Sequence, residues 1–163
     1  MKHHVFRMEF EGANPSPKLI AGKQHTEYHN YFLGNDQSKW AGGVPLFGLL
    51  TYIDLYPGID LRFYGVGDVV KYDFIVHPGA DPSLIQVSYD GLDDIQLKQK
   101  SLILKNSVRE ITELPPIAYQ TGDHTPKEVA VRFAVNDHIV SYELPRNYDP
   151  AKPLVIDPTL VFS

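Results

Sequence analysis

The chain is 163 residues long with 43% hydrophobic and 21% charged residues, a balance that suits one globular domain and argues against a disordered chain. It contains no cysteine, which removes disulfide frameworks, thiol nucleophiles and cysteine-held metal sites together. Its net charge of −5 argues against nucleic acid as a partner, and no stretch reaches the ~18 apolar residues that membrane insertion by a helix requires.

Alternation of apolar and polar residues is the dominant signal, as expected for half-buried strands. It opens with Phe6, Met8 and Phe10 set against Val5, Arg7 and Glu9. The next stretch, Glu11 to His25, carries Gly12, Asn14, Pro15, Pro17 and Gly22 with little periodicity and is expected to be a long surface connection. Asn35 to Val44, polar and then Gly42-Gly43 with Trp40 in the middle, is expected to be a second loop of the kind where binding functions sit. Phe47 to Tyr56 is a strand stopped by Pro57-Gly58, a turn dipeptide.

Ile59, Leu61 and Phe63 pair by pattern with Val70, Tyr72, Phe74 and Val76 across Gly65-Val66-Gly67-Asp68, a hairpin. A short turn is expected near Asp81 to Ile85, where Asp81 would cap and Pro82 would take the first helical position. Ile85, Val87 and Tyr89 form another strand. Ile95 and Leu97 then meet Leu102 and Leu104 across Gln99-Lys100-Ser101, and Asn106-Ser107 turns the chain into Val108 to Thr112. Val129, Val131, Phe133 and Val135 face Val140, Tyr142 and Leu144 across Asn136-Asp137-His138. The 13 Pro and 12 Gly leave no window for a sustained helix. The fold class is therefore all-β: an antiparallel β-sandwich with little or no helix, closure into a barrel left open.

No catalytic constellation stands out. His25 and His29 are four apart, but on a strand that spacing separates side chains by about 13 Å, too far for a shared metal. Glycoside cleavage needs two carboxylates on one cleft. The candidates are Asp54, Asp60, Asp73, Asp93 and Asp94, with Asp54 and Asp60 placed among polar-facing positions beside Tyr52, Tyr56, Arg62 and Tyr64. Asp60 two residues from Arg62 is the pattern of a structural ion pair on one strand face. Asp90, Asp93 and Asp94 are weak calcium candidates, since clustered oxygens suit that ion but the spacing is not that of a twelve-residue calcium loop. No cofactor is expected. For binding, Tyr28, Tyr31, Tyr52, Tyr56, Tyr64 and Trp40 would form an aromatic platform for sugars, with Asp60 and Arg62 supplying hydrogen bonds. The plainer account is that Tyr is a good strand former and sits half-buried in many β-proteins.

Several phrases occur in a recognisable order: Asn30-Tyr31-Phe32-Leu33-Gly34-Asn35-Asp36, Ser38-Lys39-Trp40 and Tyr52-Ile53-Asp54-Leu55-Tyr56-Pro57-Gly58-Ile59-Asp60-Leu61. Tyr72-Asp73-Phe74-Ile75-Val76, Pro78-Gly79-Ala80-Asp81-Pro82, Pro116-Ile117-Ala118-Tyr119-Gln120 and Leu154-Val155-Ile156-Asp157-Pro158-Thr159-Leu160 follow. Together they resemble the β-rich domain that precedes SBBP-type β-propeller repeats in large secreted bacterial surface proteins. The resemblance implies an extracellular or cell-surface location, although Met1 to His4 carries no signal peptide. It also implies an adjacent propeller as partner in the same chain, and no catalytic residues. It further implies a single domain over 1–153 lacking the family's first strands, with 154–163 as an exit segment stiffened by Pro150, Pro153 and Pro158. The expected function is a non-catalytic structural or interaction domain. A carbohydrate-binding module is the alternative, with a surface glycan or protein as ligand, and a glycoside-cleaving enzyme the remote one.

Overall fold

A computed structural model describes residues 5–67, 69–108, 110–122, 125–145 and 148–162. Asp68 of the expected hairpin turn, Arg109, His3, His4, His124 and Ser163 lie outside the described residues. The fold is an all-β sandwich of two antiparallel sheets, with no closed barrel and, among the described residues, no α-helix.

The smaller sheet has four strands: β1 (Arg7–Phe10), β6 (Gln86–Asp90), β12 (Ile139–Glu143) and β11 (Arg132–Asn136), in that spatial order. The larger contains β2 (Lys18–Tyr31), β3 (Ala41–Tyr56), β4 (Ile59–Val66), β5 (Val69–Val76), β13 (Leu154–Phe162), β9 (Glu110–Gln120), β8 (Ser101–Lys105) and β7 (Asp94–Lys98), again in spatial order. A short β10 (Lys127–Val129) adds to β9.

Period-2 alternation places the core. Ile59, Leu61, Tyr72, Phe74, Leu154 and Ile156 of the large sheet face Val87, Tyr89, Val140 and Tyr142 of the small one. Phe74 is fully buried, and its ring meets Phe10 and Tyr142 edge-on at 6.0 and 5.7 Å, joining the two sheets. Each such side chain removed from water stabilises the fold by roughly 1.5–3 kcal/mol.

The three expected hairpins form. Ile59–Val66 pairs with Val69–Val76, Asp94–Lys98 with Ser101–Lys105, and Arg132–Asn136 with Ile139–Glu143. The second turns on Gln99 and Lys100, both with positive φ, as a two-residue hairpin turn demands. Val129, expected in the last hairpin, instead lies on β10 in the other sheet. Asp81 caps a single 3-10 turn with Pro82 at its start, as expected.

Two loop expectations are corrected, and the first is Asn35 to Val44, which is loop only as far as Trp40 because β3 begins at Ala41. Glu11 to His25 is irregular only as far as Pro17; from Lys18 onward it is strand β2. Alternation is missing there because β2 is an edge strand whose residues are nearly all exposed, so no core face selects for it. Leu154–Phe162, within the stretch 154–163 read as an exit segment, form β13 inside the large sheet, between β5 and β9. Pro158 does not break it, because the β13–β9 register shifts between Asp157 and Thr159, opposite Pro115 and Pro116. Prolines lack the N–H a regular ladder needs and are tolerated at such an irregularity.

Candidate functional site

The sandwich places the expected binding residues in three separate environments. Tyr56 is a core residue, 2% exposed, whose hydroxyl donates to the Gln86 carbonyl at 3.0 Å. Tyr52 is half-buried and packs edge-on against Phe63. Neither shares a platform with the loop aromatics, so the six-ring surface expected from sequence is corrected to smaller groups.

The first group lies on an arm. β4 accompanies β3 only as far as Leu49, opposite Tyr64, so beyond that point β2 and β3 continue as a two-stranded ribbon. Gln24 pairs with Phe47, Tyr28 with Pro45 and Tyr31 with Ala41 along it. Its tip is organised by Asp36, which caps the Gln37–Lys39 turn through Ser38 N–H. Trp40 packs on Phe32 at 5.4 Å between ring centroids, and its indole N–H donates to the Gly34 carbonyl at 3.2 Å. Trp40 is nonetheless 39% exposed, Tyr28 61% and Leu33 75%. The arm therefore carries an apolar surface supported only by itself.

The second group is the outer face of the large sheet, away from the small sheet. Arg62 stands opposite Asp73 across β4 and β5 and donates to it from Nη2 at 2.5 Å. The expected Asp60–Arg62 partnership is thus replaced by a cross-strand pair, since directly opposed positions are closer than same-strand neighbours. Tyr64 donates its hydroxyl to the other oxygen of Asp73 at 3.0 Å, and the Arg62 guanidinium lies over the Tyr64 ring at 5.7 Å. Lys71 pairs with Asp157 at 2.9 Å beside them. Lys23, Leu49, Arg62, Tyr64, Asp73 and Tyr119 line an open cleft of about 320 Å³. Burial, followed by the negative charges of Asp73 and Asp157, pushes the Tyr64 hydroxyl well above the ordinary tyrosine range. Burial and Asp73 raise Tyr119 as well, so both stay protonated donors at neutral pH.

The third group is structural. Asp60 accepts from the Asp54 N–H at 2.8 Å and meets His77 Nε2 at 2.9 Å, while Asp54 accepts from the Gly58 N–H at 3.2 Å. Asp54 has φ of 51°, and the β3–β4 register shifts between Tyr52 and Tyr56. Both carboxylates therefore fix the bulge and the Pro57-Gly58 turn rather than share a cleft. Asp93 donates its N–H to the Lys105 carbonyl, and Asp94 accepts from Gln96 at 2.6 Å. Asp90 is opposite Arg7 at the end of β6. Among the described residues no three acidic or histidine side chains gather as a metal site.

Sequence reasoning missed Lys23, Tyr119 and Glu113. Glu113 is fully buried between the sheets and accepts from the hydroxyls of Tyr72 and Tyr89 at 2.5 and 3.0 Å. No local pattern announces this, because the donors come from strands distant in sequence.

Comparison with curated proteins and with solved structures returned no match. A family model described as a domain of unknown function, DUF7948, matches residues 1–159. With nearly all of its length matched, the chain belongs to the DUF7948 family.

Proposed function

We propose that this chain is a non-catalytic interaction domain of a secreted or cell-surface bacterial protein, and that the β2–β3 arm is the element that engages its partner. The observation that carries this reading is the ribbon itself, which holds exposed Tyr28, Leu33 and Trp40 and gives no residue to the buried core. A folded domain gains nothing in stability from apolar groups left in water, so such a surface is explained by association. β2 is also a sheet edge, with one row of backbone N–H and C=O groups open to strand addition. The resemblance to domains that precede SBBP propellers supports a β-rich neighbour in the same polypeptide as the partner. Of the carboxylates considered for catalysis, Asp54 and Asp60 are engaged in a turn and Asp73 by Arg62 and Tyr64.

Hydrogen exchange tests the reading. The free-edge amides of β2 are expected to exchange quickly in the isolated chain and at least ~10-fold more slowly in the intact polypeptide with its native partners. Equal rates would remove the arm from consideration as the docking element.

A further inference from the structure

The outer-face cleft lies where the base of the arm meets the sheet face, and two of its side chains, Lys23 and Tyr119, have no part in the core. Lys23, at its rim, holds φ of 50° between Gly22, opposite Leu49, and Gln24, opposite Phe47. A lysine in the left-handed region is strained, and such positions concentrate at ligand sites. Among the described residues Lys23 makes no ion pair. Arg62 commits one nitrogen to Asp73, leaving further guanidinium N–H groups free to bond elsewhere. Tyr119 is half-buried, and among the described residues its hydroxyl makes no hydrogen bond.

The geometry points to a binding site for a carboxylate-bearing sugar, the uronate unit of an acidic polysaccharide. Of the three charges lining the cleft, Asp73 is already neutralised by Arg62, so the unpaired charge is the cation Lys23. Lys23 and the remaining N–H groups of Arg62 supply the two donors an anionic carboxylate needs. The Tyr119 hydroxyl bonds a sugar hydroxyl, and the Leu49 side chain offers the apolar wall a sugar ring packs on. The site lies on a sheet face, where the backbone groups of β3, β4 and β5 are used within the sheet. A peptide strand would add at the free edge of β2, beside the face and not on it, so a ligand on the face itself is held by side chains, which favours a saccharide. The cleft volume falls within the ~300–1,000 Å³ of small-molecule sites.

The test is titration of the full chain with hexameric oligogalacturonate, with neutral cellohexaose and with trialanine as a free peptide carboxylate. Wild type, Lys23→Gly and Tyr119→Phe are compared. Glycine accepts the positive φ at position 23, so that variant removes the charge without adding strain. Oligogalacturonate is expected to bind wild type and to weaken about tenfold in Lys23→Gly and about threefold in Tyr119→Phe, with neither melting temperature below wild type and that of Lys23→Gly equal or higher, since glycine relieves the strain at position 23. Absence of oligogalacturonate binding, equal binding of cellohexaose, trialanine binding as tight as the oligomer, or affinity unaffected by both variants would each overturn the proposal. A chain truncated in the arm beyond Gln24 retains Lys23, so failure here is distinguishable from failure of the arm reading.

Discussion

Tyr72 donates its hydroxyl to Glu113 across 2.5 Å at the centre of the sandwich, with Tyr89 donating to the other carboxylate oxygen. Burial raises the Glu113 carboxyl above the ordinary glutamate range, and the two hydroxyl donors only partly oppose that. Tyr142, also buried, lies close enough that the Glu113 charge helps raise its hydroxyl above the ordinary tyrosine range.

The sign of the pH dependence follows. A carboxyl whose pKa is raised by folding contributes fully below its unfolded value, and that contribution is lost as pH rises toward the folded value. The difference in unfolding free energy between wild type and Glu113→Gln should therefore fall as pH climbs through and above the ordinary glutamate range. Denaturant titration across that window measures it. Glu113→Leu should cost about 2–4 kcal/mol, since it strands two buried hydroxyls without an acceptor.

Removing the arm should leave the body intact. Replacing residues 25–46 by an Asn-Gly hairpin turn joins Gln24 to Phe47, which already face each other. Because the ribbon contributes nothing to the core, the melting temperature is expected to stay within about 3 °C of wild type. A drop of ten degrees or more in a thermal scan would make the arm a folding element.

Gly58 has φ of 70°, and a Cβ placed on it would lie 2.9 Å from the Ala80 Cβ. Gly58→Ala should destabilise by about 2–4 kcal/mol, from the left-handed backbone and the overlap together. Adding Ala80→Gly should return only the overlap part. Full recovery in the double variant would mean that the backbone conformation carries no cost.

On the outer face, Asp73 is 2% exposed and depends on Arg62, which is about one-third exposed. Arg62→Met should cost about 2–3 kcal/mol, below the full penalty for a buried pair because water reaches the arginine. Asp73→Asn in the same chain should recover at least half, as the amide still bonds Tyr64 without needing a counter-charge. A double-mutant cycle in urea reports the coupling.

The sequence makes legible those parts of the fold in which one strand face meets the core. Ile59, Leu61 and Phe63 alternate because Asp60, Arg62 and Tyr64 face away, and the Ile95/Leu97 and Leu102/Leu104 alternation marks its hairpin even though Gln99 and Lys100 are unusual residues at positive φ. The first half of β2, Lys18 to Gln24, reads as a connection because this edge strand has no buried face to impose a period. β13 is hidden in the sequence because Pro158 signals a break, whereas the irregularity opposite Pro115 and Pro116 absorbs it. Arg62 was identified as a binding residue, but its cleft partners Lys23 and Tyr119 are brought beside it only by sheet pairing. Tyr56 had the right residue type on the wrong face, because the bulge at Asp54 resets the alternation two residues earlier.

Amide hydrogen exchange along β2, residues 18–31, measured in the isolated chain and in the intact polypeptide with its native partners, tests the central claim most directly. The arm reading predicts fast exchange at the free-edge amides in isolation and ~10-fold or greater slowing in the intact state, concentrated between Gln24 and Tyr31. Identical exchange in both states would contradict it and leave the outer-face cleft as the remaining functional surface.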